Sequence, residues 1–426
     1  MPNHSPGTAA VATPPGKARE SARPAWLVVA LLWVVVMLNY LDRQVIFSLF
    51  PLLRADLRLS DVQLGLLGTA FLWVYAAFSP VAGWIGDRFG HRRVILGSLA
   101  VWSAVTGLTA LAPAFPALLA ARGLMGISEA FYIPAALALV ASWHGEKTRA
   151  RAVGIHQSGI YAGVVLGGFG GAWIGENFGW RAVFWVLGGA GLLYASVLPL
   201  LLRDKPRQTM PAKSGAGFWA SSGVVVRRKG FWPVLGVFTA TSMAGWLIYT
   251  WMPLFLFERF GLSLTEAGFT ATFYIQAASV GGILAGGWAG DLLAARHARG
   301  RIWTQVVGLC LGGPFLALSG VTSEVWILYL ALICYGAGRG IYDCNIMPVL
   351  CGIVAEDERA TAYGLLNCAG TLAGGVMAFA AGALKASAGI GVILSATGLG
   401  VLGLSLLLLR IPAPGVAPGA AAAGTK

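Results

Sequence analysis

Twelve runs of about 20 mostly apolar residues follow one another along this chain. They lie near 26–47, 62–86, 94–113, 115–143, 150–175, 180–202, 231–257, 266–291, 302–321, 325–350, 358–383 and 388–410. A helix of that length spans the hydrocarbon core of a bilayer. Inside hydrocarbon every backbone polar group must be satisfied within the segment, which makes helix the form such runs take. Composition agrees: of 426 residues 57% are hydrophobic and 11% charged, against roughly 25% charged in soluble chains. The reading is an all-α membrane protein of twelve transmembrane helices. The 59 glycines fit close helix approach rather than disorder.

The runs fall into two comparable sixes. Gly83-Trp84-Ile85-Gly86-Asp87-Arg88-Phe89-Gly90-His91-Arg92-Arg93 follows the second run of the first half. Gly287-Trp288-Ala289-Gly290-Asp291 closes the second run of the second half, with Arg296, Arg299 and Arg301 behind it. Arg149-Ala150-Arg151-Ala152-Val153-Gly154 matches Arg359-Ala360-Thr361-Ala362-Tyr363-Gly364. Glu129 stands five residues before Pro134, as Asp343 does before Pro348. A duplicated six-span unit points to a membrane transporter with its binding site between the halves, near the midplane. The expected organisation is a disordered tail over 1–24, a six-helix half over 25–202 and a linker over 203–230. A second half over 231–410 and a tail over 411–426 complete it. The first apolar run is of full spanning length, so 1–24 reads as a tail and not a cleaved signal.

A net charge of +13 invites a nucleic-acid reading, and its distribution argues against one. With both termini in the cytoplasm, 22 of the 30 Lys and Arg residues fall on the inner side and three within spans. Five (Arg54, Arg58, Arg181, Arg259 and Lys385) fall outside. That asymmetry is an orientation signal. The five cysteines all sit in apolar runs of the second half without paired spacing, which removes disulfide and zinc readings.

Six ionisable residues lie well inside spans: Asp42, Arg43, Arg122, Glu129, Arg339 and Asp343. Each costs about 2.5–3.5 kcal/mol at mid-bilayer, so each faces a cavity or a partner. Arg122 and Glu129 are seven apart, about 10.5 Å along one helix face. Tyr40 and Arg43 share a face of the first span, as do Asn39 and Arg43. Asp42 and Arg43 are adjacent and point about 100° apart. The expectation is that Arg43 faces substrate while Asp42 turns to a neighbouring helix, with the fourth span as the candidate. Three arginines balance Asp42, Glu129 and Asp343. Protonating one acid leaves +1, suited to a carboxylate, and a bound anion raises that acid's proton affinity. Static helix–helix pairing is the plain alternative, above all for Arg339 and Asp343, four apart on one helix. Gln157 and Asn367 hold matching repeat positions. Tyr249, Tyr274 and Asn345 are further candidates for a cavity wall, and His156 reads as facing another helix.

The 83–93 pattern resembles the loop signature of the major facilitator superfamily, and the resemblance covers 26–410. A narrower likeness rests on Asn39-Tyr40-Leu41-Asp42-Arg43, on Arg122-Gly123-Leu124-Met125-Gly126-Ile127-Ser128-Glu129-Ala130, on Gln157 and on Gly179-Trp180-Arg181. These are similar to the anion:cation symporter family, whose members carry sugar acids and other organic anions with protons or sodium. The same elements occur in spinster-like lipid transporters. The first resemblance implies proton coupling at Asp42 and Glu129, and substrate contact at Arg43, Arg122 and Gln157. Arg339-Gly340-Ile341-Tyr342-Asp343-Cys344-Asn345 fits neither pattern closely.

Asp87 and Asp291 close the second and eighth spans, where a carboxylate can bridge basic residues when an inner gate shuts. Gly83, Arg88, Gly90 and Arg92 complete that motif. The second copy departs from it, with Leu292 in place of the Arg. Val164 follows Gly163 where drug–proton antiporters of the superfamily carry Gly-Pro. No phosphate-binding Gly-x-x-x-x-Gly-Lys-Ser/Thr loop is present, and no nucleophile–base or metal cluster stands out. The expectation is a monomeric inner-membrane symporter of an organic anion with protons, without cofactor or metal. A lysolipid carrier and a transporter-like sensor are the alternatives.

Overall fold

The computed structural model describes residues 22–203 and 218–411. The long helices are α1 (Ala22–Ser48), α3 (Asp61–Phe89), α4 (His91–Thr109), α5 (Phe115–Ala130) with α6 (Tyr132–Trp143), α7 (Glu146–Phe178) and α8 (Trp180–Leu201). A short α2 (Phe50–Leu57) follows α1. The second half holds α10 (Phe231–Phe260), α11 (Leu264–Arg296), α12 (Gly300–Val321), α13 (Val325–Cys351) and α14 (Arg359–Ser405), preceded by a short α9 (Phe218–Val225). The first helix therefore begins inside the stretch read as a tail, and α9 lies inside the stretch read as a linker. Arg228 beside it pairs with Glu358 at 2.6 Å. That bond holds the Glu358 carboxyl below its usual range.

Twelve spans emerge once two local rules are applied. The run 115–143 is broken in two, because Pro134 has no N–H and its ring crowds the carbonyl of Ala130, where α5 ends. The helix α14 holds two spans, reversed at Gly389, whose φ of 77° only glycine adopts cheaply. Gly179 makes the same turn in the first half, with φ of 83°. Two matching capping boxes add a repeat signal that the sequence reading passed over. Ser60 with Gln63 opens α3, and Ser263 with Glu266 opens α11. Each Ser accepts from the N3 backbone while the N3 side chain accepts from the Ser N–H.

The halves meet along α3 with α14, α7 with α11, and α1 with α10. Glycines permit the approach: Gly65 faces the backbone of Ala378, and Gly168 faces Gly268. Thr69 Oγ1 donates to the Gly375 carbonyl at 2.8 Å, Trp73 Nε1 to Leu372 at 3.0 Å, and Gln44 Nε2 to Tyr249 at 3.1 Å. The Thr265 N–H donates to Glu176 at 2.9 Å. Each of these contacts lies between mid-span and the end that carries the 48–61 and 260–264 turns. A ring of four charges finishes the seal there. Arg54 pairs with Asp61, Asp61 with Lys385 at 3.2 Å, Lys385 with Glu258 at 2.8 Å, and Glu258 with Arg54 at 2.5 Å. Two of the four links cross from one half to the other.

Candidate functional site

Beyond that seal the halves enclose a cavity of about 520 Å³. On α1, α7 and α11 its residues lie on the far side of those contacts, while Leu72 of α3 and Tyr249 of α10 stand level with them. The first half contributes Tyr40, Arg43, Tyr75, Gln157 and Tyr161. The second contributes Trp246, Tyr249, Gln276, Tyr335, Arg339, Asp343, Tyr363 and Asn367.

Arg43 is the anchor of the first-half wall. Its Nε donates to Glu129 Oε2 at 2.6 Å, joining α1 to α5, with side chains 7% and 0% exposed. Its guanidinium lies over Tyr40 at 4.7 Å, Tyr75 at 4.5 Å and Phe71 at 5.1 Å from the ring centroids. Rings hold a cation this way through their quadrupole. Asp42 turns away from the cavity, as adjacency on a helix requires. The neighbour it meets is α4, where it lies beside Thr106 and Trp102, with Glu129 and Arg122 in electrostatic reach. The fourth span, expected to receive it, instead receives Arg43.

Arg122 does not line the cavity. It is 1% exposed, donates to the Leu67 carbonyl at 3.3 Å, and packs over Phe71 at 4.6 Å. The seven-residue spacing that aligns it with Glu129 runs along the helix, and puts Arg122 one layer deeper. Asn39 is also buried, and among the described residues its amide, beside the Glu129 carboxylate, finds no close hydrogen-bond partner. Glu129 Oε1, Arg43 Nη2 and Arg122 Nη2 share that state. The first half thus concentrates unpaired donors and acceptors around one acid.

Tyr40, Gln157 and Tyr249 sit on the cavity wall as expected from their positions. Gln157 presents a buried Oε1 that finds no close hydrogen-bond partner among the described residues. The Tyr249 hydroxyl accepts from Arg339 Nη1 and from Gln276 Nε2, both at 2.9 Å. Asn345 and Tyr274 stand elsewhere. Asn345 is fully buried and donates to the carbonyls of Gly286 and Ile341, locking α13 to α11. Tyr274 stacks on Tyr329 at 4.8 Å. An amide two residues along from a cavity acid is turned about 200° from it, which carries Asn345 into the helix interface. His156 contacts Tyr132 at 3.0 Å, away from the cavity.

Sequence reasoning passed over Tyr75, Tyr161, Trp246, Gln276 and Tyr335. A signal existed for two of them. Tyr161 stands four residues after Gln157 on the same face, and Gln276 is an amide within an apolar run. Among the motif residues, Arg92 ties α4 to the end of α8 through the carbonyls of Leu202 and Pro199, both at 2.7 Å. Gly90 caps α3 at φ of 89°. Asp291 pairs with Arg301 of its own half. Gly83 lies within α3, and the placement of the Asp87 side chain lies outside what the structure describes.

A mid-span cavity between two six-span halves, with ionisable side chains in its wall, defines a membrane transporter. The family model of the Major Facilitator Superfamily matches residues 32–378, and the chain belongs to that family. It is 28% identical to the "Probable galactarate/D-glucarate transporter GudP" of Bacillus subtilis, covering 85% of each chain. It is 29% identical to an "MFS-type efflux pump" of Mycolicibacterium smegmatis, over 92% of this chain and 90% of that one. In fold it is similar to a bacterial homolog of the human lysosomal transporter Spinster, inward-facing and unoccupied. That likeness has a TM-score of 0.75 at 22% identity, over 93% of this chain and 95% of that one.

Proposed function

We propose that this protein carries an organic anion, a sugar acid or similar carboxylate, together with protons, by alternating access. The observation that carries the reading is Arg43 in the wall of a cavity built by both halves, held from behind by the buried Glu129. An acid bound to the arginine that meets substrate couples the two ligands. Protonating Glu129 weakens its hold on Arg43 and frees the guanidinium for a carboxylate. A carboxylate on Arg43 in turn favours the protonated acid. Asp42, one helix face away, is placed to pass or hold a second proton. Similarity to a sugar-acid transporter supports the choice of anion. By the distribution of Lys and Arg both termini lie in the cytoplasm of the cell inner membrane, and the sealed end faces outward.

Uptake into proteoliposomes tests this. Radiolabelled D-glucarate, D-galactonate and an aromatic acid are offered with and without an inward proton gradient. The expected result is gradient-driven accumulation of one acid. Glu129→Gln should keep exchange but lose accumulation. Export of an amphiphile without uptake of any acid would replace this reading with the efflux or lipid-carrier one.

The charge ring at the sealed end then acts as the outer gate. Each pair is partly exposed and contributes about 0.2–1 kcal/mol, so one loss is tolerated. Glu258→Lys places three cations around Asp61 and opens the ring. In a variant keeping Cys344 as its single thiol, a cavity residue, a membrane-impermeant maleimide should label several-fold faster from outside. Unchanged labelling would remove the ring from the gate.

A further inference from the structure

The second-half wall holds an ion pair of a different kind from Arg43–Glu129. Arg339 Nε meets Asp343 Oδ2 at 3.3 Å, a long single contact, with side chains 25% and 34% exposed. Both line the cavity. Arg339 Nη1 donates to the Tyr249 hydroxyl, itself held by Gln276. Tyr249 also lies under the guanidinium, at 5.3 Å. Among the described residues Nη2 finds no acceptor, nor is it among the buried unpaired atoms. The guanidinium is thus fixed in direction from α10 and α11, with one edge open to the cavity. Arg43, by contrast, is closed in by three rings and a buried carboxylate.

We propose that Arg339 and Asp343 form a carboxylate-binding subsite, in which a substrate carboxylate takes the open Nη edge of Arg339 and Asp343 takes up a proton. The inference rests on the organic-anion reading above and adds a second, proton-linked contact from the second half. The chemistry follows from geometry. A guanidinium presents paired N–H groups that match a carboxylate. One pair already spends its Nε on Asp343, so an incoming carboxylate sets two anions on one cation. Two anions at one site cannot both stay ionised cheaply. The proton comes from the aqueous cavity and goes to Asp343 Oδ1 or Oδ2, giving a neutral acid, and no other bond changes. The titratable groups near Asp343 are Arg339, Tyr335, Tyr342 and Cys344 on its own helix, Tyr161 from α7, and Tyr363 from α14. Tyr249 of α10 reaches it through Arg339. Arg339 is the one basic side chain in that set, and Asp343 the one acid.

Calorimetric titration of the full-length protein with D-glucarate at pH 6 and pH 8 tests the subsite. Wild type should bind more weakly at pH 8, where fewer protons are available for Asp343 to take up with the carboxylate. Asp343→Asn mimics the protonated acid, so its affinity at pH 8 should rise about tenfold, the equivalent of one pKa unit. Its loss of affinity from pH 6 to pH 8 should shrink by the same factor. Arg339→Ala should lose binding at both values, with Arg339→Lys in between. A gain of affinity in Asp343→Asn is a change that misfolding does not produce. If wild type binds D-glucarate while Asp343→Asn and Arg339→Ala keep its affinity and pH response, the subsite is wrong and the organic-anion reading stands. If wild type binds neither D-glucarate nor the D-galactonate of the uptake panel, the sugar-acid reading falls, and the subsite falls with it.

Discussion

Alanine at Glu129 will lower the thermal stability of the protein and abolish uptake. The same loss is expected from Arg43→Met. Both partners are buried, at 0% and 7% side-chain exposure, so removing one strands the other as an uncompensated charge. Such truncations cost about 3–5 kcal/mol. Replacing both by residues of similar size and no charge is far milder, because the desolvation cost of both ions disappears together. The double variant Arg43→Met/Glu129→Met should therefore melt near the wild-type temperature while uptake stays absent. Thermal unfolding in detergent beside proteoliposome flux separates the two effects. If the single variants melt like wild type, the pair is not the buried ion pair described here. If the double variant transports, neither residue belongs to the substrate route.

A valine at Gly268 will slow transport in the opposite way, by leaving binding intact and hindering the sealing of the outer end. A Cβ built on Gly268 runs into the Gly168 carbonyl and lies 2.8 Å from the Ala172 Cβ, both on α7 in the other half. Overpacking of this kind costs about 1–3 kcal/mol. The cost falls only on the state in which α7 and α11 touch. That shifts the balance between the two access states by about 5- to 150-fold. The expected results are uptake reduced by a similar factor, and fast outside labelling of Cys344. Gly281→Ala is the control, since a Cβ there meets nothing within 4 Å. Wild-type flux in Gly268→Val would mean that this contact does not open during the cycle.

The two proposals differ in how far the chain announced them. Arg43 and Glu129 stand out because charges are expensive in hydrocarbon, and each sits in a run that has almost none. That cost is visible in one dimension. Which partner each charge takes is not, because it depends on the rotation of six helices about their own axes. Asp42 shows the limit: helical adjacency puts it about 100° from Arg43, but the packing of α4 against α1, rather than spacing, sets Thr106 and Trp102 beside it. Arg122 and Asn345 show the cost of reasoning from polarity alone. Each is a polar group inside a span, and each is spent on the carbonyl of a neighbouring helix. Spans need such groups for packing as well as for cargo.

The sequence by itself determined the class of fold, the number of spans, the duplication and the rarity of the membrane charges. These follow from local rules: apolar run length against bilayer thickness, repeated motifs, and the cost of placing an ion in lipid. Only the tertiary structure decided that Arg43 is capped by Tyr40, Phe71 and Tyr75 while Arg339 keeps an open edge. It alone joined Arg54, Asp61, Glu258 and Lys385, residues from four separate helices, into one ring. The reason is physical. Contacts between helices from two halves depend on small residues that let backbones approach at particular points, and no periodicity within one helix records where the partner helix lies.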